Sequence, residues 1–180
     1  MARPLKEEIG KRRPFDAVEQ EAFLSLSRTA SILGCEFERL FKRHGISGAA
    51  YNVLRVLRGE AEGGGGGVPM HTMGCRLIAR VPDVTRLVDR LEKAGLVGRG
   101  RTSQDRRVVL VSITARGLGL LSTLDGPVRD LHRAQLSHMT RAELKELIGL
   151  LGKTREKQGA RAPAGDCAAR RREPLKESRR

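Results

Sequence analysis

Apolar side chains recur at intervals of three and four positions in several stretches of the chain. This is the spacing of α-helices that bury one face. The pattern predicts a long helix over residues 15–44 and further helices over residues 49–58, 71–78, 115–138 and 141–158. Thr140 and Glu143 form a T-x-x-E capping box, which is typical of a helix start. The chain is therefore expected to be mainly helical.

One of these predicted helices contains a proline. Gly126 and Pro127 lie inside the stretch that covers residues 115–138. A proline in a helix interior lacks the N–H that the helix needs, at a cost of about 3 kcal/mol. We therefore expect this helix to kink or break at Pro127.

A shorter helix is predicted after residue 80, and its two faces differ in polarity. The apolar positions fall at i, i+3, i+4 and i+7: Val84, Leu87, Val88 and Leu91. The opposite face carries Pro82, Arg86, Asp89, Arg90 and Lys93. Pro82 is tolerated in a first helical turn, and Gly95 supplies a left-handed stop after which Leu96 can fold back onto the helix. This pattern predicts about a dozen helical residues with a buried apolar face and an Arg-bearing outer face.

A two-stranded ribbon is predicted to follow this helix. Residues 97–102 and 107–114 are rich in Val, Ile and Thr, and the polar residues 103–106 between them can form a hairpin turn. Arginines crowd the ribbon and its tip: Arg99, Arg101, Arg106 and Arg107. Two helices joined by a short turn at residues 79–81, with such a ribbon after them, are typical of a winged helix-turn-helix.

The dimensions of this arrangement suit double-stranded DNA. A helix fits the major groove, which is about 12 Å wide, and a slim cationic hairpin tip fits the narrower minor groove. The alternative from spacing alone is a solvated basic helix on an ordinary α+β domain, because Arg-rich helix faces are common.

The charge of the chain also favours nucleic acid as a partner. The formal net charge is +14, from 35 Lys or Arg and 21 Asp or Glu. Residues 76–107 carry nine basic and four acidic side chains, so the positive charge is concentrated where the helix and ribbon are predicted. An anionic membrane surface is the weaker alternative. A non-specific architectural or RNA-binding protein is another, although four Phe, one Tyr and no Trp leave few rings for base stacking.

The run VTRLVDRLEKAGLVGR, followed by DRRVVLVSITARG, resembles the MarR family of bacterial transcriptional regulators. The resemblance includes the recognition helix, the "GLV-R" exit, the "DRR" wing tip and the "T-x-x-G" entry to the next helix. The upstream segment YNVLRVLRG also resembles that family, and the likeness covers about residues 15–158. The five glycines at residues 63–67 depart from the short connection that is usual in the family.

The resemblance implies a mainly α (α+β) fold. It would be a winged helix-turn-helix with long N- and C-terminal dimerisation helices and a two- to three-stranded wing sheet. The MarR-type domain would span residues 15–158, with dimerisation helices at 15–44 and 115–158 and the winged helix-turn-helix at 49–114. Residues 1–14 look like a loose basic arm. Residues 159–180, which are basic and nearly free of large apolar side chains, are expected to be disordered.

The implied function is that of a homodimeric regulator of transcription, most often a repressor, that binds a pseudo-palindromic operator. The candidate recognition-helix residues are Pro82, Asp83, Thr85, Arg86 and Arg90. The candidate wing residues are Arg99, Arg101, Asp105, Arg106 and Arg107. A carboxylate at the hairpin tip can hold an adjacent guanidinium extended, and Arg107 is preferred over Arg106 as the inserted side chain. The alternative is an exposed surface pair worth under about 1 kcal/mol.

The resemblance also implies an effector. A small phenolic or anionic ligand would bind between the dimer helices and the DNA-binding lobe and shift the spacing of the recognition helices. The candidate pocket residues are Phe37, Phe41, His44 and Tyr51.

The sequence offers little for catalysis or metal binding. G-x-S-x-G, Walker A, G-x-G-x-x-G and H-E-x-x-H motifs are absent, so we expect neither enzymatic activity nor a cofactor. His71 and Cys75 are four residues apart and could share a metal ion, but the favoured interpretation is a helix-start histidine and a small buried thiol. Cys35 could sense redox state if its pKa were lowered, although a packing role is favoured.

No apolar run in the sequence approaches 18 residues, and the N-terminus has no apolar core of a signal peptide. Three widely spaced cysteines favour a reducing compartment without structural disulfides. The protein is therefore expected in the bacterial cytoplasm, associated with the nucleoid.

Overall fold

The computed structural model describes residues 3–101 and 107–159, except for the side chains of residues 157–159. The chain divides into two compact units, Met1–Gly48 and Ala49–Arg180. Helices dominate, and one three-stranded antiparallel sheet accompanies them. The predicted α+β class is confirmed. Over the described residues, no helix is both long and apolar enough to cross a membrane.

The first unit contains two helices, α1 (Leu5–Glu8) and α2 (Val18–Arg43). The short α1 lies within the segment that was expected to be a loose arm, and Arg28 Nε on α2 donates to Glu8 Oε2 at 2.9 Å. Helix α2 ends as predicted, because Gly45 adopts a left-handed φ of 73° and the Ile46 N–H donates to the Phe41 carbonyl. Apolar side chains of α2 remain exposed, among them Phe23 and Ile32.

The second unit begins with α3 (Gly48–Glu62), whose first residue lies at the unit boundary. It continues with β1 (Val68–Pro69), α4 (Met70–Arg76) and α5 (Val84–Lys93), then β2 (Val97–Arg101) and β3 (Val109–Ile113). The strand order is β1-β3-β2, and Val97 on β2 pairs with Ile113 on β3. Val53, Leu54, Met73, Val88 and Val111 are fully buried and belong to the core of this unit.

The glycine run has a defined structure rather than that of a simple linker. Helix α3 extends to Glu62, so the prediction that it ends at residue 58 was wrong. Directly after the helix end, Gly64 has a left-handed φ of 78°, and the Gly65 N–H donates to the Glu60 carbonyl at 2.9 Å. Gly67 has a φ of 138°, and a Cβ there would lie 2.8 Å from the Val111 carbonyl oxygen. Glycine therefore permits β1 to lie against β3.

Helices α6 (Ala115–Leu136) and α7 (Arg141–Gly159) complete the described chain. The capping box before α7 is confirmed, because the Thr140 N–H donates to Glu143 Oε2 at 2.7 Å and the Glu143 N–H donates to Thr140 Oγ1 at 3.3 Å. Of the two expected outcomes at Pro127, a kink or a break, the break was wrong, since α6 continues through this residue. The preceding Gly126 has no Cβ to clash with the proline ring, which removes part of the usual penalty.

A bidentate ion pair joins α3 to α6. Arg58 Nη1 and Nη2 donate to the two carboxylate oxygens of Asp125 at 2.7 and 2.8 Å. The Arg58 side chain is only 15% exposed, whereas that of Asp125 is 41% exposed. Hydrogen bonding from Arg58 lowers the pKa of Asp125 below its usual value. The ionised carboxylate is therefore favoured by the fold.

We expect Asp125→Asn to lower the free energy of unfolding at pH 7 by about 1–2 kcal/mol, after allowance for the exposure of the carboxylate. The folded-state pKa of Asp125 is lowered, so its contribution is present above the unfolded pKa and disappears as the pH falls through the folded value. Urea denaturation should show a difference between wild type and variant that is full at pH 7 and smaller at pH 3. Asp130→Asn, at an exposed carboxylate on the same helix, serves as control. A difference that is independent of pH would contradict the prediction.

Candidate nucleic-acid interface

Helix α5 begins with a side-chain cap. The Arg86 N–H donates to Asp83 Oδ1 at 2.9 Å, and Asp83 itself is outside the helix. The expectation that Pro82 lies in the first turn was wrong, because α5 begins at Val84. The D-x-x-R spacing of Asp83 and Arg86 was visible in the sequence, but we assigned Asp83 to DNA contact rather than to capping.

The two faces of α5 match their predicted polarity. Leu87, Val88 and Leu91 are buried, and Val84 is partly buried. The outer face exposes five of the singled-out side chains: Pro82, Thr85, Arg86, Arg90 and Lys93. Asp89 is half-buried instead of fully outward. An open groove on this side is lined by Val81, Pro82, Asp83, Arg86, Asp89, Arg90 and Lys93, but not by Thr85.

The end of α5 is also as predicted. Gly95 has a φ of 71°, the Gly95 N–H donates to the Glu92 carbonyl, and the Leu96 N–H donates to the Leu91 carbonyl at 2.9 Å. Leu96 is buried. This is a Schellman-type cap, in which the glycine takes the left-handed position and the following apolar side chain packs back.

A cluster of hydrogen bonds connects the end of α5 directly to the start of α6. Thr114 Oγ1 donates to the Gly95 carbonyl at 2.7 Å and accepts the Gly117 N–H at 3.1 Å, while the Thr114 N–H donates to the Leu96 carbonyl at 3.2 Å. Gly117 is buried, and a Cβ there would overlap the Leu96 carbonyl oxygen. The T-x-x-G motif is thus a joint between α5 and α6, and we call it the Thr114–Gly117 joint.

Arg99 connects α5 to the sheet. It lies on β2. Its Nη2 donates to Asp89 Oδ1, and its Nη1 lies 3.2 Å from Glu92 Oε2. Both carboxylates belong to α5. Its side chain is 27% exposed. Two carboxylates thus surround a guanidinium that sequence analysis assigned to DNA contact. The arrangement favours a role for Arg99 in holding α5 against the wing.

The remaining wing residues fall into two groups. Arg101 at the end of β2 and Arg107 before β3 are both exposed, and Arg101 pairs with Val109 across the ribbon. Asp105 and Arg106 lie outside the described residues, so their assignment to the wing tip stays a prediction.

The four predicted pocket residues belong to two separate units. In the first unit, Phe41 is buried, Phe37 is half-buried, and their ring centroids are 6.1 Å apart. His44 follows α2 and is exposed. In the second unit, Tyr51 is half-buried, and burial raises the pKa of its hydroxyl. The effector pocket itself stays a prediction.

The cysteines and the metal hypothesis gain little support. Cys35 is a free and exposed thiol. Cys75 is also exposed, which contradicts its interpretation as a small buried thiol. Among the described residues, no group of three or more His, Cys, Asp or Glu side chains could hold a metal ion.

A capped helix with an exposed basic face, preceded by the short helix α4 and followed by an antiparallel ribbon, defines a winged helix-turn-helix protein. The sequence profile of the MarR family matches residues 65–109. The solved MarR transcription factor of Planctomyces limnophilus is 42% identical, with 77% of this chain and 98% of that chain aligned and a TM-score of 0.58. The chain therefore belongs to the MarR family, as its motifs predicted.

Two further relatives are transcriptional regulators. The HTH-type transcriptional regulator MhqR of Bacillus subtilis is 28% identical over 102 residues, which are 57% of this chain and 67% of that protein. The homoprotocatechuate degradative operon repressor of Escherichia coli is 25% identical over 115 residues, which are 64% of this chain and 74% of that protein. Both similarities extend well beyond the recognition helix.

Proposed function

We propose that this protein is a homodimeric transcriptional regulator that binds specific double-stranded DNA, with α5 in the major groove and the β2–β3 wing at the minor groove. The observation that carries the proposal is the outer face of α5, where Thr85, Arg86 and Arg90 are exposed on the side opposite the buried Leu87, Val88 and Leu91. The length of α5, ten residues, is about 15 Å, which suits entry into a groove.

Within this interface the residues have different roles. Thr85 and Arg86 lie near base edges or flanking phosphates, and Arg90 contacts the backbone. Pro82 and Asp83 shape the start of the helix. In the wing, Arg101 and Arg107 supply positive charge, with Arg107 at the minor groove, while Arg99 positions α5 through its carboxylate partners.

Exposed apolar side chains support the dimer. Phe23 and Ile32 on α2, and Ile148 and Leu150 on α7, are exposed in the single chain. Burial of apolar area is the main favourable term in association, and a second copy of the chain would bury these faces. A two-fold dimer reads a pseudo-palindrome with half-sites about 34 Å apart. Such a regulator acts on the chromosome, which places it at the nucleoid in the cytoplasm.

We further propose that the protein is a repressor released by a small phenolic or anionic effector. The name of the Escherichia coli relative describes a repressor of a homoprotocatechuate degradative operon. The Thr114–Gly117 joint supplies a direct connection through which a change in α6 would reach α5. A gel-shift titration with phenolic acids tests this proposal, and operator affinity that is unchanged by every such ligand would count against it.

Selection of duplexes from a random library tests the DNA proposal itself. A palindromic motif, confirmed by a footprint with two protected half-sites, is the expected result. The second candidate is a non-specific architectural protein, which the net charge of +14 favours. Uniform retention of all duplexes would support that candidate and contradict sequence-specific binding.

The wing makes a prediction of its own. We expect Arg107→Ala to weaken operator binding and to lower the slope of log K against log salt concentration by about 0.9, the value for one lost phosphate neutralisation. Fluorescence anisotropy at several salt concentrations measures both quantities. Arg133→Ala removes the same charge from an exposed position on α6 and should leave the slope unchanged. Equal slopes for wild type and Arg107→Ala would remove this residue from the DNA interface.

A further inference from the structure

The carboxylate of Asp83 binds one arginine twice. Its Oδ1 accepts the backbone N–H of Arg86 at 2.9 Å, and its Oδ2 lies 3.2 Å from Nε of the same side chain. Both oxygens are therefore used within one helical turn. This arrangement favours a common orientation of the Asp83 and Arg86 side chains, although the Arg86 side chain is 84% exposed. An exposed arginine without such a partner would lose more conformational entropy on binding.

The anchored atom determines which nitrogen atoms point outward. Because Nε of Arg86 faces the Asp83 carboxylate at 3.2 Å, the terminal Nη1 and Nη2 groups form the outer end of the guanidinium. Two parallel N–H donors at the end of an arginine match the O6 and N7 acceptors that guanine presents in the major groove. No other base presents two acceptors at these positions. The orientation therefore favours guanine over adenine, cytosine or thymine.

The charge of Asp83 also separates Arg86 from its basic neighbours. A carboxylate beside the guanidinium repels phosphate and weakens Arg86 as a backbone contact. Arg90 and Lys93 lie four and seven residues further along the same exposed face, and they are better suited to phosphates. In this arrangement Arg86 would contact a base, and Arg90 and Lys93 would contact the DNA backbone.

We infer that Asp83 is a positioning residue that determines specificity by orienting Arg86 toward one guanine in each operator half-site. This inference rests on the proposed DNA-binding function and names the base that the recognition helix reads. Asp83 itself touches no base in this arrangement. Its effect is on the geometry of Arg86, so its removal changes base preference more than total affinity.

The test uses the full chain and the duplex that it selects from a random library. Each guanine of that duplex is replaced in turn by 7-deazaguanine, which pairs normally but lacks the N7 acceptor. At one guanine per half-site, this replacement should weaken binding by wild type at least about fivefold, the lower end of a bidentate contact. In Asp83→Asn the same replacement should change the affinity by less than about twofold, because asparagine still caps the helix but carries no charge to attract the guanidinium.

Matched variants keep the result interpretable. Asp83→Ser also retains a capping side chain and should behave like Asp83→Asn, with an unchanged melting temperature in both. Asp130→Asn removes one negative charge from an exposed position on α6 and should keep the full guanine penalty. Arg86→Lys retains the charge but not the fork and should lose the penalty.

The outcomes separate the inference from the function beneath it. A selected motif without a guanine penalty, or a full penalty retained in Asp83→Asn, overturns the inference while DNA binding stands. The inference is also overturned if 7-deazaguanine has no effect but binding weakens when a cytosine of the duplex lacks its amino group. Asp83 would then accept a hydrogen bond from that base directly. Selection that returns no motif contradicts the proposed function itself.

Discussion

Replacing Gly117 with Ala is expected to lower the free energy of unfolding by about 3 kcal/mol, at the upper end for overpacking in a rigid site. The new Cβ would overlap the Leu96 carbonyl oxygen and would lie 2.8 Å from Ile113 Cγ1. The carbonyl is backbone and accepts the Thr114 N–H, so it cannot move without disturbing the Thr114–Gly117 joint. Urea denaturation at a fixed protein concentration, which a dimer requires, measures the change.

Gly119 provides the matched control for this prediction. It lies two residues further along α6, and a Cβ there would meet no heavy atom of the described structure within 4 Å. Gly119→Ala is therefore expected to raise stability by about 0.5–1 kcal/mol, because alanine loses less backbone entropy in a helix. If both variants changed stability equally, a general helix effect would explain them and the packing of Gly117 would not.

The second large effect concerns binding. Arg86→Ala is expected to weaken affinity for the selected operator by about 5- to 140-fold, the range for one bidentate base contact. Affinity for a scrambled duplex should change much less, because Asp83 already offsets most of the charge of Arg86 in phosphate binding. Anisotropy titrations with both duplexes measure the specificity ratio. An unchanged ratio and footprint would show that Arg86 does not read a base, and Arg133→Ala again controls for the lost charge.

The elements of this fold were predictable where their signals are local. The apolar face of α5, the glycine stop at Gly95 and the capping box at Thr140 all depend on residues within one or two turns, and all were confirmed. The wrong expectations at Gly59, Pro82 and Pro127 arose where one local signal was given too much weight. Pro127 does not break α6, and Gly126 before it has no Cβ to clash with the proline ring. Helix α3 extends past Gly59 to Glu62, because the turn that ends it is formed by Gly64 and Gly65.

The candidate interface was less predictable, because its side-chain partners are distant in sequence. The arginine pattern predicted that Arg99 contacts DNA. In the folded chain its guanidinium contacts the carboxylates of Asp89 and Glu92 instead. Asp83 was recognised as part of the helix face, but its double contact with Arg86 depends on rotamers that spacing does not specify. Charge patterns thus indicated the candidate interface, and only the structure distinguished outward-facing cations from paired ones.

The Thr114–Gly117 joint couples the orientation of α6 to that of α5, the proposed recognition helix. Helix α6 has 22 residues and is about 33 Å long, and its N-cap residue Thr114 is hydrogen-bonded to Gly95 and Leu96, directly after α5. A tilt of about 5° at the joint would move the far end of this arm by about 3 Å, by the same helical rise. Conversely, a displacement of that size imposed at the far end by a ligand or partner chain would rotate α5 and, in the proposed complex, change its fit to DNA.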